Sequence, residues 1–147
     1  MPRRLAAVFF VIVTACGGGT SAADQRAAAK KGFIRQADAR CDVLNHRLSE
    51  LEPLARTDQA AAATAALPDF EALLAYLHDL PAPQGDTELS GILTGYDELL
   101  GNLRAVVAAK AADDEVVIQQ KFDDLEAKEK RFARQAFAYG FKVCGQL

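Results

Sequence analysis

Beyond residue 27, apolar side chains recur at steps of three and four, and no stretch alternates with the period of two expected of a half-buried strand. The pattern predicts an all-α fold, an up-down bundle of about four helices. In the first, near residues 28–52, Ile34, Ala37, Cys41, Leu44, Leu48 and Leu51 share one face. In the second, near 58–80, the face is Ala63, Ala66, Leu67, Phe70, Leu73, Leu74, Leu77 and Leu80. The third, near 87–112, carries a broad stripe from Leu89 and Ile92 through Tyr96, Leu99 and Leu103 to Val107. The fourth, near 114–141, carries Ile118, Phe122, Leu125, Phe132, Ala136 and Tyr139, and its spacing continues to Val143. Glu129 interrupts that last stripe. It sits either at the rim with its head in water, the reading we prefer, or against an arginine across the bundle.

The breaks are set by residues that disfavour helix. Gly32 leaves the first start uncertain, with Phe33 as a later alternative, and Pro53 is expected to stop that helix. Pro68 falls inside the second stripe, whose phase continues across it, so a kink is expected rather than a break. Pro81, Pro83 and Gly85 mark a loop. Asp86 or Thr87 can cap the third helix, and Asp113, Asp114 and Glu115 suit the positive end of the fourth. Gly145 is the expected final stop. Gly91 and Gly95, one turn apart, either admit a neighbouring helix closely or weaken their own.

The first residues follow a different pattern. Arg3 and Arg4 precede an unbroken apolar run over 5–13, too short to span a bilayer as a helix, which ends in Val13-Thr14-Ala15-Cys16. This reads as a lipobox: cleavage before Cys16 and acylation of the new N-terminal cysteine, with diacylglycerol at least. The residues around the arginine pair do not complete a twin-arginine signal, so the general secretory route is expected. A plain signal peptide with a chance cysteine is the alternative. The chain then divides into a signal peptide (1–15), a lipidated tether (16–26) and a bundle domain (27–147). The Gly17-Gly18-Gly19-Thr20-Ser21-Ala22-Ala23 run is expected to be flexible. Localisation follows: the extracytoplasmic face of the cell membrane, reached through the lipid.

Cleavage takes 15 of 147 residues and leaves 132, enough for one core. It also removes Arg3 and Arg4, taking the formal charge from −3 to −5. Such a chain has no electrostatic reason to bind nucleic acid or anionic lipid. With Cys16 given to lipid, Cys41 and Cys144 remain as an even pair in an oxidising compartment. We read them as a disulfide, with free buried thiols as the alternative. An equal-length bundle poses a difficulty here, because Cys41 lies inside the first helix. The fourth helix must then be offset, or the second shortened at Pro68.

The common catalytic and metal constellations are not found. His46 and His78 are the only histidines, and neither follows a glutamate by three residues, as a di-iron bundle requires. There is no zinc motif, haem-attachment motif or nucleophile elbow. The acidic residues Asp113, Asp114, Glu115, Asp123, Asp124 and Glu126 lack calcium-loop spacing and read as a cap and a solvated face. No metal or cofactor is expected, and no catalytic residue is assigned.

The segment Ala37-Asp38-Ala39-Arg40-Cys41, with Tyr139-Gly140-Phe141-Lys142-Val143-Cys144-Gly145 and the lipobox, resembles a group of small helical lipoproteins of high-GC Gram-positive bacteria. The resemblance implies a disulfide-closed helical bundle and carries no activity. Asp38 matches the group's pattern, and its expected role is a cap or an ion pair near the bridge, to Lys142 or Arg134. The resulting expectation is an anchored binding or interaction module without catalysis, its partner an envelope protein. The alternative is a carrier of a small apolar ligand between the helices.

Overall fold

The computed structural model describes residues 21–146. Four helices follow in order: α1 (Ala22–Ala55), α2 (Gln59–Asp79), α3 (Thr87–Ala111) and α4 (Glu115–Tyr139), then a short 3-10 turn over Cys144–Gln146. The fold is the all-α bundle that the periodicity predicts. Asp58, Asp86 and Asp114 cap α2, α3 and α4, each carboxylate accepting the backbone N–H three residues on. α2 is apolar enough to meet the length and composition of a membrane span, with mean hydropathy 1.2. Its place between α1 and α3 accounts for that composition.

Several boundaries differ from expectation. α1 begins at Ala22, inside the segment assigned to the tether, because Ser21 and Asp24 form a reciprocal capping box and the next residues are alanine-rich. Residues 22–29 are all exposed. The helix therefore projects beyond the packed bundle as a stalk, and the core begins at Phe33. Pro53 does not stop α1, which runs on to Ala55, whereas α2 continues through Pro68 without a break, as its unbroken stripe predicts. Both prolines are exposed, as are Ser49 and Thr64, whose carbonyls lose a donor, so solvent can satisfy them. Gly145 is not the final stop. α4 ends at Gly140, whose φ of 121° belongs to the region glycine favours.

Two apolar clusters fill the interior. One gathers Phe33, Ala37, Cys41, Leu44, Leu73, Leu77, Leu89, Ile92, Ala136, Tyr139, Phe141 and Cys144, from all four helices and the C-terminal turn. The other, Ala60, Ala63, Leu103, Val106, Ala109 and Ile118, draws on α2, α3 and α4 alone. Neighbouring helices in sequence pack on one another, and the C-terminal turn joins α4 to α1.

The glycines of α3 separate by environment. A Cβ on Gly95 would lie 2.3 Å from the Phe132 ring of α4, a close approach that only glycine permits, whereas one on Gly91 meets nothing within 4 Å. Gly95→Ala is expected to destabilise by about 1–3 kcal/mol, since Phe132 is itself buried. Gly91→Ala is expected to stabilise by about 1 kcal/mol through helix propensity. Chemical denaturation of the two variants checks the opposite signs.

Candidate functional site

The cysteine motifs meet at one place. Cys41 and Cys144 form a disulfide, with Cα atoms 5.2 Å apart and both residues buried. Neither an offset of α4 nor a shortened α2 is needed, because Cys144 lies beyond α4. Gly140 turns the chain so that it returns onto the middle of α1. Asp38 explains the return. Its carboxylate accepts the backbone N–H groups of Lys142, Val143 and Cys144, each at 3.0 Å. Of the two expected roles, a cap or an ion pair, the carboxylate takes that of a cap: its partner is the main chain leading into the C-terminal turn, not the Lys142 ammonium or Arg134. Asp38 precedes Cys41 by three residues, so both lie on one face of α1 and hold the same turn.

Two tyrosines complete this clasp. The Tyr96 hydroxyl donates to the Cys144 carbonyl at 2.7 Å, and the Tyr139 hydroxyl donates to Asp86 Oδ2 at 2.7 Å. Burial, then the Asp38 charge, pushes the Tyr96 phenol well above its ordinary value and keeps it a donor. Tyr139 is raised by burial first and then by its bond to Asp86. For Asp86, burial acts upward but is outweighed by the Leu89 N–H, the Tyr139 hydroxyl and the Lys30 charge, leaving its pKa lowered. Lys30 Nζ lies 3.7 Å from the Tyr139 ring centroid. Every group in the clasp is engaged within the fold, so this is a structural device.

The open feature lies elsewhere. A cleft of about 440 Å³ opens between α2, α3 and α4, walled by Phe70, Leu73, Leu74, Tyr96, Leu99, Leu103, Phe122 and Leu125. A second hollow, against Leu48 and Leu51 of α1, shares Phe70, Leu103 and Phe122 with it. Gln59, Gln119, Asp123, Glu126 and Glu129 are the cleft's polar lining, all exposed. Glu129 therefore takes the rim position and makes no hydrogen bond or ion pair with another described residue. Burial, then the charge of Glu126, raises its pKa, while Lys130, 2.6 Å from Glu126, lowers that of Glu126.

The remaining candidates are dispersed. His46 is exposed and away from Cys41, and His78 Nε2 meets Asp97 Oδ1 at 3.0 Å on the surface. No three metal-ligating side chains converge among the described residues. Exposed large apolar side chains among them are Val43, Leu54, Tyr76, Val116 and Phe137, spread over α1, α2 and both ends of α4. Cys16, the candidate lipidation site, lies outside the described residues. The cleft itself was not foreseen. Its one sequence signal is the polar row Gln119, Asp123 and Glu126 flanking the α4 stripe at helical spacing. Comparison of the chain with known protein families, curated proteins and solved structures finds no match.

Proposed function

We propose that this protein is a lipid-anchored binding module of the cell envelope, without catalysis of its own, and that it holds an apolar ligand in the cleft between α2, α3 and α4. Of the two sequence expectations, this is the carrier. The observation that carries it is the cleft: several hundred Å³, walled by leucine, phenylalanine and tyrosine, with its few polar groups confined to the mouth. The interaction-module reading calls for a continuous exposed apolar patch, and the exposed apolar residues named above are spread over three helices. The lipobox and the resemblance to small helical lipoproteins of high-GC Gram-positive bacteria support the anchor. In this reading Cys16 bears the lipid, residues 17–20 link it to the bundle, and the α1 stalk holds the cleft off the membrane.

Two experiments test the two halves. Intact mass of the protein extracted from membranes is expected to show a chain beginning at Cys16 with diacylglycerol attached; an unlipidated N-terminus elsewhere contradicts the anchor. The chain from residue 16 with Cys16→Ser keeps the whole core, which spans Phe33 to Cys144. It is expected to bind the neutral apolar fluorophore N-phenyl-1-naphthylamine. Leu99→Trp, which fills the cleft, is expected to weaken that binding at least about tenfold, a loss of roughly 1.4 kcal/mol, with helicity unchanged. Leu99→Ala is expected to retain it. Equal binding by Leu99→Trp contradicts the cleft as the site.

A further inference from the structure

We propose that the ligand of the cleft is a cationic amphiphile, an apolar chain bearing an ammonium or guanidinium head. This rests on the cleft being a binding site and adds the chemistry of its occupant. The walls are apolar and aromatic, so they take the chain. The mouth carries three carboxylates, Asp123, Glu126 and Glu129, and among the described residues no lysine, arginine or histidine lines the cleft. These carboxylates differ in what already compensates them. Glu126 is held by Lys130. Asp123 accepts only the neutral Gln119 amide, at 2.9 Å. Glu129 accepts no hydrogen bond from another described residue and feels Lys130 only through its charge. Three carboxylates against one lysine therefore leave net negative charge at the edge of an apolar hollow, where solvent screening is weaker than on an open surface.

This arrangement sorts amphiphiles by head group. A carboxylate or phosphate head seated at the mouth meets like charge, with only Lys130, already engaged by Glu126, to offset it. A neutral head gains the apolar contacts alone. A cationic head gains those contacts and the attraction of Asp123 and Glu129, and the faces of Phe70, Tyr96 and Phe122 also favour a cation at close range. Asp123 and Glu129 stand six residues apart, about 9 Å along α4, so one head group sits between them or at either. The raised pKa of Glu129, caused by burial and then by Glu126, agrees with a position that disfavours further negative charge.

The test uses three probes with one chain: dodecyltrimethylammonium, dodecyl maltoside and dodecanoate, each below its micelle concentration. Each is titrated by calorimetry into the Cys16→Ser chain from residue 16. The ammonium is expected to bind about fivefold more tightly than the maltoside at low salt, the scale of one or two exposed ion pairs. The advantage is expected to shrink as salt rises, and dodecanoate to bind most weakly. In Asp123→Asn/Glu129→Gln the preference for ammonium over maltoside is expected to collapse. Equal affinity for ammonium and maltoside, or tighter binding of dodecanoate, overturns the cationic head and leaves the cleft reading intact. If none of the three binds, or all bind Leu99→Trp as tightly as the parent, the cleft reading falls and this inference with it.

Discussion

Replacing Cys41 and Cys144 together by alanine is expected to lower the stability of the bundle by about 4 kcal/mol, the largest effect of any change considered. The bridge closes a loop of 103 residues, nearly the whole described chain, and so constrains the unfolded state strongly. It also acts where the C-terminal turn bridges α4 and α1. Both half-cystines are buried in the cluster with Phe33, Leu77 and Tyr139, so alanine leaves unfilled volume as well. Urea unfolding checks the magnitude. A loss under about 1 kcal/mol would mean that the clasp closes the fold without the bridge. Hydrogen exchange should show the loss centred on α1 and the C-terminal turn. The cluster of Ala60, Leu103, Val106 and Ile118 contains no residue of either and is expected to keep more of its protection.

Asp38→Ala is expected to cost about 2–3 kcal/mol. One carboxylate accepts three successive N–H groups, and two of those bonds are partly buried. Removing it strips all three donors of their acceptor and leaves the Tyr96 bond to the Cys144 carbonyl and the Phe33–Phe141 contact to hold the turn. Asp38→Asn keeps an acceptor but loses the charge, and is expected to fall between. The expected signature is coupling: Asp38→Ala should cost less in the Cys41→Ala/Cys144→Ala background than in the parent, because both features hold the same turn. Additive losses within about 0.5 kcal/mol would separate the two.

The helices, and the caps of α3 and α4, were legible because each depends on neighbours in sequence. The stripe through Ala37, Cys41 and Leu44 is buried, and Asp86 and Asp114 cap α3 and α4. Pro53 misled because the cost of a proline depends on whether the freed carbonyl faces water, which the sequence does not display, whereas the unbroken stripe across Pro68 already pointed to one continuous helix. The early start of α1 was visible in Ser21 and Asp24, but the glycines before them and Gly32 after them argued for disorder. The role of Asp38 needed the backbone of Gly140 to turn the chain over α1. The cleft was not legible, because Phe70, Tyr96 and Phe122 carry the same spacing whether a neighbour covers them or not.

The most direct test of the central reading is methyl-resolved NMR of the Cys16→Ser chain, titrated with N-phenyl-1-naphthylamine. The account predicts saturable shifts in Leu73, Leu74, Leu99, Leu103 and Leu125, which line the cleft, while Leu44, Leu89 and Ile92 in the clasp-side core stay in place. Shifts confined to the exposed Val43, Leu54 and Val116, or no saturable shift at all, would contradict a ligand held between α2, α3 and α4.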